Sequence, residues 1–497
     1  MIIGPGPAGL TAAYELVRHG VPVVVLEQDR QVGGLARTVE YRGFRFDIGG
    51  HRFFTKVPAV QALWRHMLGP DFLVRPRLSR IFYAGKFYDY PLKPLNVVRN
   101  LGLVTTVADL ASYLVARLRP IRPEVSFADW VTNRFGRRLY RTFFKTYTEK
   151  VWGIPCERIA AQWAAQRIKG LSLRTAAINM LFPGLNRGRS GIKTLIDEFE
   201  YPRLGPGMMW ERFAGAVAQA GGIVRLGTRV ARLVHDRAHV TAVEIESDRG
   251  GELVPAGQVI STMPISLLTR ALDPAPPPDV VAAANRLKHR DFLTVALIID
   301  RPHLFADNWI YIHDESVRVG RIQNYKNWSS EMVPDPAFTC LGLEYFVNAN
   351  DDLWSMSDKG LIALGTREVE ALGLVPAGSV VDGTVVRMPK AYPVYDDDYL
   401  DALEVIKTYL SGFDNLQPVG RNGMHKYNNQ DHSMLTALLA VRNMFGDEFD
   451  LWAVNADEDY HEELLSAGDE SAELGRQLQN LASTQPLVPS AIRSKDA

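Results

Sequence analysis

Met1-Ile2-Ile3 runs straight into Gly4-Pro5-Gly6-Pro7-Ala8-Gly9, an order of residues that few folds accept. The three apolar residues read as the end of a buried strand. Leu10 to His19 then places Leu10, Ala13, Leu16 and Val17 on one helical face, and Gly20 ends it. Pro22-Val23-Val24-Val25-Leu26 reads as a second buried strand with Glu27 at its carboxyl end. Strand, glycine turn, helix, and a strand closing on an acid make the half-unit that binds a dinucleotide. Gly4 permits the tight turn, Gly6 removes a side chain where pyrophosphate must approach, and Gly9 lets helix and strand pack closely. Pro7 and Ala8 open the helix, whose free N–H groups and positive dipole end suit phosphate. Glu27 is placed to accept hydrogen bonds from adenosine ribose hydroxyls.

A chain of 497 residues is too long for one core, so two or three structural regions are expected. Lys+Arg and Asp+Glu are both 56, and the basic excess of a nucleic-acid binder is missing. Cys156 and Cys340 are too few for a disulfide framework, have no metal-ligand spacing, and read as buried reduced thiols of a cytoplasmic protein. The apolar start enters a glycine turn rather than a secretory cleavage site. Leu101 to Leu118 is the most apolar long segment, yet Asp109 and Arg117 interrupt it and it is short for a bilayer span. It reads as a helix packed in a domain, with a membrane-surface helix as the alternative.

Gly33-Gly34-Leu35-Ala36-Arg37-Thr38 follows closely and resembles the second flavin motif of amine oxidase and glutathione reductase-like flavoproteins. Bare glycines let backbone reach the flavin side of the pyrophosphate, and Arg37 can neutralise charge there. The cofactor implied is FAD. Such domains are discontinuous, and the expected class is α/β: a FAD-binding Rossmann-like domain, a helical insertion and an antiparallel β-sheet substrate domain. The expected pieces are 1–94, 201–270 and 401–465 for the FAD domain, 95–200 for the helical insertion and 271–400 for the substrate sheet, with a disordered tail over 484–497. The sheet is expected from Leu293 to Ile299, Trp309 to Ile312, Arg321 to Asn324 and Cys340 to Val347. Strands are also expected at Gly221 to Arg225, at Thr228-Arg229-Val230 (with Val230 against the cofactor) and at Val259 to Thr262; a last helix is expected over Ser433 to Met444.

Further patches resemble the UDP-galactopyranose mutases, above all the eukaryotic branch. Asp47-Ile48-Gly49-Gly50-His51 is similar to that family's Gly-Gly-His loop beside the flavin, and Tyr147 to Pro155, with Trp152, to its cleft signature. Trp163-Ala164-Ala165-Gln166-Arg167 carries an arginine where the family contacts diphosphate, and Arg318, ahead of Asn324-Tyr325, resembles a second. Gly420-Arg421, Lys426-Tyr427 and Asn429-Gln430-Asp431-His432-Ser433 resemble the third arginine and the helix aimed at the isoalloxazine; Ala391-Tyr392-Pro393 resembles a turn whose tyrosine reaches substrate. The resemblance implies catalytic roles for His51, Arg167, Arg318 and Arg421, and substrate contacts from Tyr90, Trp152, Tyr325, Tyr392 and Tyr427. It also implies an isomerase that exchanges pyranose and furanose forms of a nucleotide-diphosphate sugar, with reduced FAD attacking the anomeric carbon through N5. Arginines suit that substrate because bidentate guanidinium bonds hold diphosphate and stabilise a departing one.

Two departures bear on the substrate. Tyr90-Pro91-Leu92-Lys93 stands where the mutases have Tyr-Pro-Phe-Gln near uridine, and Ile196-Asp197 replaces an expected asparagine before Tyr201-Pro202. The flavin and diphosphate parts look retained while base and sugar recognition look altered. The competing reading is an oxidoreductase of the amine oxidase, protoporphyrinogen oxidase or desaturase type, in which N5 accepts hydride and the cleft is more apolar.

Overall fold

The computed structural model describes residues 1–90, 92–161, 198–396 and 398–455. Arg167, Ile196-Asp197 and the expected tail over 484–497 lie outside those residues.

The opening strand, Ile2–Ile3, is only two residues long but forms the centre of a five-stranded parallel sheet. The order across it is Leu416–Pro418, Val259–Ser261, Ile2–Ile3, Val24–Leu26 and Ile223–Arg225. Side chains alternate across this sheet, and both faces are covered, as a parallel sheet requires. Ile2, Val25 and Ile260 face a cluster that the helices Pro7–Arg18 and Gln430–Met444 complete with Leu10, Ala13, Leu435 and Leu438. Ile3, Leu26, Val259 and Leu416 face the opposite cluster, which includes Leu233 and Val243 of a four-stranded sheet and Ile406 of the helix Tyr399–Leu410. Sequences from both ends and the middle of the chain therefore build one dinucleotide domain.

The second large sheet has seven strands, ordered Val380–Pro393, His289–Ile299, Thr339–Val347, Arg321–Asn324, Trp309–Ile312, Ser79–Tyr83 and Lys86–Asp89. Its expected strands are present, but it is mixed, because Trp309–Ile312 pairs in parallel with Ser79–Tyr83. The alternation divides its two faces. Leu293, Val295 and Leu297 join Leu341, Leu343, Tyr345 and Ile322 in an apolar cluster. On the other face Thr294, Glu344 and Arg321 stand in register across three strands, a polar row turned towards the Gly49-Gly50 turn.

Between the sheets, the segment 94–161 is helical, with Pro94–Leu101, Leu103–Leu118, Phe127–Phe135 and Thr146–Trp152 as its main helices. The apolar run expected as one helix breaks at Gly102, which takes φ 84°. Among the described residues no single helix is long and apolar enough to cross a membrane. Cys156 and Cys340 are buried free thiols.

Candidate active site

One cavity of about 1210 Å³ runs from Glu27 and Gln28 at the end of the Rossmann sheet to Tyr392 and Arg321 on the second sheet. Its first part is built by the glycine turns. Gly6 caps the helix Pro7–Arg18 without any side-chain bond, and a Cβ placed on it would meet nothing within 4 Å. That open space is where a diphosphate would lie. Gly9 is the opposite case, because a Cβ there would stand 1.9 Å from the Gly4 carbonyl oxygen. The second turn is tied to the first by Gly33 N–H, which donates to the Pro5 carbonyl at 2.8 Å. Gly34 thereby comes so close that its Cβ would lie 3.4 Å from Gly6 Cα. Both turns thus face one channel with bare backbone.

Glu27 follows the second strand and accepts through one carboxylate oxygen from Asp29 N–H at 2.7 Å. Burial raises its pKa, with the Asp29 N–H pulling the other way. Arg37 forms an ion pair with Asp29 at 2.6 Å, so its charge is already matched beside the pyrophosphate channel. Pro7, Ala8 and Leu35 line the cavity, as do Gly49, Gly50, Gly420, Asn429, Gln430, Asp431 and Ser433. Val230 does not: it is buried in the cluster with Leu233 and Val243, which corrects the expected cofactor contact. The helix expected from Ser433 begins at Gln430, and Asn429 and His432 close a reciprocal cap at its start. Its N-terminus looks into the cavity, where partial positive charge accumulates. These features fit a flavin dinucleotide along the channel: a bare phosphate cradle, an acid at the ribose end and a helix N-terminus at the ring end.

The deeper part surrounds His51. Its Nε2 lies 2.8 Å from the Ile48 carbonyl oxygen. Burial pushes its pKa down to about 4, against that hydrogen bond, and Arg421 and Arg321 lower it further. His51 is therefore neutral at physiological pH. Gly50 rests on the polar row, for its Cβ would stand 2.9 Å from Gln323 Nε2, which itself donates to Glu344 at 2.8 Å.

Arg421 reaches the same region from the loop before the last helix. It donates to the carbonyls of Asn428 at 2.9 Å and Ala391 at 3.5 Å, and its guanidinium lies 4.5 Å from the Tyr427 ring centre and 5.4 Å from that of Tyr392. Those two rings stack at 5.7 Å. Tyr311 links a second aromatic group, its ring centre 5.1 Å from that of Tyr90 and 5.4 Å from that of Tyr147, and Trp152 lies 6.3 Å from Tyr427. Burial raises the pKa of Tyr147 and Tyr392, so both hydroxyls stay protonated donors at neutral pH. Tyr90, Trp152, Tyr392, Tyr427, His51 and Arg421 all line this one cavity.

Two expected residues are elsewhere. Arg318 pairs with Asp352 through two bonds of 2.6 and 2.8 Å on the outer surface, because it precedes the strand instead of lying in it. Tyr325 is buried and gives its hydroxyl to the Asp47 carbonyl at 2.8 Å; it supports the Asp47-to-His51 loop from behind. The arginine this region contributes to the cavity is Arg321, held by Glu344 at 2.6 Å. Period two would have found it, since Ile322 faces the apolar cluster and its neighbours must face away. Tyr147 and Tyr311 also line the cavity, as do His313, stacked on Tyr147 at 5.0 Å, and Arg52 and Arg387. Lys93 turns to Asp89 at 3.6 Å, leaving Leu92 as the cavity-lining side chain at that departure.

The model of the family described as flavin containing amine oxidoreductase matches residues 7–395. A coproporphyrinogen III oxidase of Mycobacterium tuberculosis is 23% identical over 428 residues, covering 82% of this chain and 90% of that protein. An inactive all-trans-retinol 13,14-reductase of Danio rerio is 55% identical over 49 residues, 10% of this chain; the match spans only 8% of that reductase. Among solved structures, a reduced UDP-galactopyranose mutase shares the fold with a TM-score of 0.78 at 21% identity, covering 93% of this chain and 98% of that one.

Proposed function

This chain belongs to the flavin containing amine oxidoreductase family, and within it we propose a mutase that interconverts ring forms of a nucleotide-diphosphate sugar. Its cofactor is FAD. The observation that carries the proposal is Arg421, a guanidinium fixed by two backbone carbonyls and two tyrosine rings at the cavity wall. Among the described residues its hydrogen-bond partners are neutral carbonyls, which leaves its positive charge to a ligand. An amine substrate would enter as a cation and be repelled; like charges 4 Å apart cost about 4 kcal/mol at an effective dielectric of 20. A diphosphate is attracted by the same charge.

Reduced FAD, when bound, supplies an electron pair at N5 for bonding to carbon. The chain's part is to hold the sugar there and to ease departure of the diphosphate. Arg421 bonds the phosphate oxygens and gains strength as negative charge develops on them. The Tyr147, Tyr392 and Tyr427 hydroxyls add donors without adding charge. Arg321 stays charged beside them because buried Glu344 balances it. His51, kept neutral, holds the Gly49-Gly50 turn through the Ile48 carbonyl and adds no cation that would compete for the substrate.

A second reading has its own support. Ile81, Leu92, Phe127, Phe143 and Phe144 make one stretch of the cavity wall apolar, which suits oxidation of an anionic but partly hydrophobic compound. One experiment separates the two. Dithionite-reduced protein is incubated anaerobically with UDP-galactopyranose and a panel of other nucleotide sugars, and products are resolved by chromatography. Isomer formed over many turnovers without net use of reductant is the mutase result. Unchanged sugars, together with an oxidised flavin that bleaches on adding an anionic apolar substrate and recovers in oxygen, would replace it by the oxidase.

A further inference from the structure

The helix Leu103–Leu118 is packed inside out. Its exposed large apolar residues are Leu103, Val104, Val107, Leu110, Leu114, Val115 and Leu118, between 52% and 86% accessible. At 100° per residue they fall within one stripe roughly 140° wide, the width that core-facing helices normally bury. The residues it buries are Asp109 and Ala116. Its inner face is held by polar bonds: Arg138 Nε donates to Asp109 at 2.9 Å, and Arg138 N–H donates to the Ser112 hydroxyl at 3.2 Å. Gly136 approaches Tyr113 so closely that a Cβ there would stand 2.7 Å from its backbone nitrogen. The orientation is therefore fixed by specific contacts, and the apolar stripe is turned outward by construction.

Charge selects the occupant. The whole chain is neutral, but between residues 94 and 122 the charged side chains are Arg99, Arg117, Arg119 and Arg122 against the single Asp109, which is buried. Arg99 is exposed at the bend between the two helices, Arg117, Arg119 and Arg122 at and beyond the carboxyl end of the longer one, and Arg137 and Arg141 on the next segment. A second protein would need matching acids at the rim; a bilayer with anionic headgroups offers apolar depth and negative charge together. The companion helix Pro94–Leu101 is bent 118° from it at Gly102, and Leu95 on it is 70% exposed. A pair so bent suits lying along a surface.

We propose that this helix pair docks the protein on the surface of an anionic phospholipid membrane. The cavity would then open close to the lipid. Val97 and Leu101 pack against the cluster of Ile81, Tyr88 and Phe143, and Ile81 and Phe143 also line the cavity wall. The inference does not rest on the mutase reading and holds equally for an oxidase.

The test is co-sedimentation of the full FAD-loaded chain with vesicles of phosphatidylcholine plus phosphatidylglycerol, against vesicles of phosphatidylcholine alone. The wild type is expected to pellet with the mixed vesicles and to be released by high salt. Val107→Glu with Leu114→Glu should weaken binding about tenfold or more while FAD content stays unchanged. Should that variant misfold, Val104→Cys labelled with an environment-sensitive dye serves instead, because both native cysteines are buried; its emission should shift to the blue only with mixed vesicles. Wild type left in the supernatant, or glutamate variants that bind as well as wild type, would overturn the proposal. So would a wild-type dimer that the glutamates split while vesicles capture nothing, which assigns the face to a second copy.

Discussion

The Tyr201 phenol donates to the buried Asp47 carboxylate at 2.5 Å, joining two strands 154 residues apart. Thr38 donates to the other oxygen at 2.9 Å, and the Asp47 backbone carbonyl accepts from Tyr325 at 2.8 Å. Asp47 is the last residue of the strand Phe44–Asp47 and leads directly into Ile48-Gly49-Gly50-His51. Three hydroxyls thus fix the root of the loop that carries His51 into the cavity. Burial raises the Asp47 pKa to about 7, although both side-chain bonds lower it.

That value fixes the sign of a pH effect. A carboxyl raised from an ordinary 3.8 to about 7 adds stability at low pH and loses it as pH rises towards 7. His51, His289, His313 and His425 act oppositely, because burial holds them at about 4, 3, 3 and 4, so the unfolded chain takes up protons first as pH falls below 6.5. Asp47 partly offsets their acid destabilisation. Asp47→Asn mimics the protonated native group and removes the offset. Between pH 7 and pH 5 the variant should lose about 2 kcal/mol more unfolding free energy than wild type. Urea melts at the two pH values measure this, and equal losses would show that Asp47 is ionised in the native protein.

Gly6 and Gly9 give a contrast within one turn. A side chain at Gly6 would enter open cavity, so Gly6→Val should fold normally but emerge colourless, with the diphosphate cradle filled. Gly9→Val meets the Gly4 carbonyl at 1.9 Å and should fail to accumulate as folded protein. Circular dichroism and flavin absorbance of the purified variants decide it; a yellow Gly6→Val would move the phosphates elsewhere.

These glycines show why the dinucleotide end is legible in the sequence: turn, approach and packing each demand a residue type at a fixed offset, within thirty residues of local sequence. The last helix is legible for a similar reason, but not its first turn, because Asn429 and His432 cap it reciprocally and that bond shows only in three dimensions. The second sheet is harder. Its strands are visible from alternation, whereas its parallel seam with Ser79–Tyr83 depends on a partner more than two hundred residues away. Arg318 and Arg321 are chemically alike and three apart; only their position relative to the strand start separates a surface ion pair from a cavity wall. Tyr325 misleads because a tyrosine next to a cavity sheet can face either way, and here Asp47 takes its hydroxyl.

Arg421→Ala removes the guanidinium beside the stacked rings of Tyr392 and Tyr427. Turnover should fall by about a hundredfold to a thousandfold, the usual effect of losing one donor to a developing anion. Bound FAD should remain, since the change leaves the Gly4-to-Gly9 turn, the Gly33-Gly34 turn and Glu27 intact. Arg421→Lys should recover part of the rate, because it keeps the charge but loses the bidentate geometry. The ratio of flavin to protein and kcat are the two readouts; loss of flavin along with rate would place Arg421 at the cofactor instead.

Arg321 and Arg318 predict opposite outcomes from one change. Arg318→Ala breaks an exposed pair with Asp352 and should leave kcat unchanged and stability within about 0.5 kcal/mol of wild type. Arg321→Ala leaves Glu344, fully buried, without its cation, and should cost about 3–5 kcal/mol. Stability loss alone would not show a role in the cavity, so the pair must be neutralised together. Arg321→Met with Glu344→Gln removes both charges and should regain most of the lost stability, since the new amide oxygen can still accept from Gln323, as the Glu344 carboxylate does now at 2.8 Å. If Arg321 also holds substrate anions, the stabilised double variant stays slow and shows a raised KM. A double variant as active as wild type would reduce Arg321 to a structural partner of Glu344 and leave Arg421 to bind the diphosphate with the tyrosines.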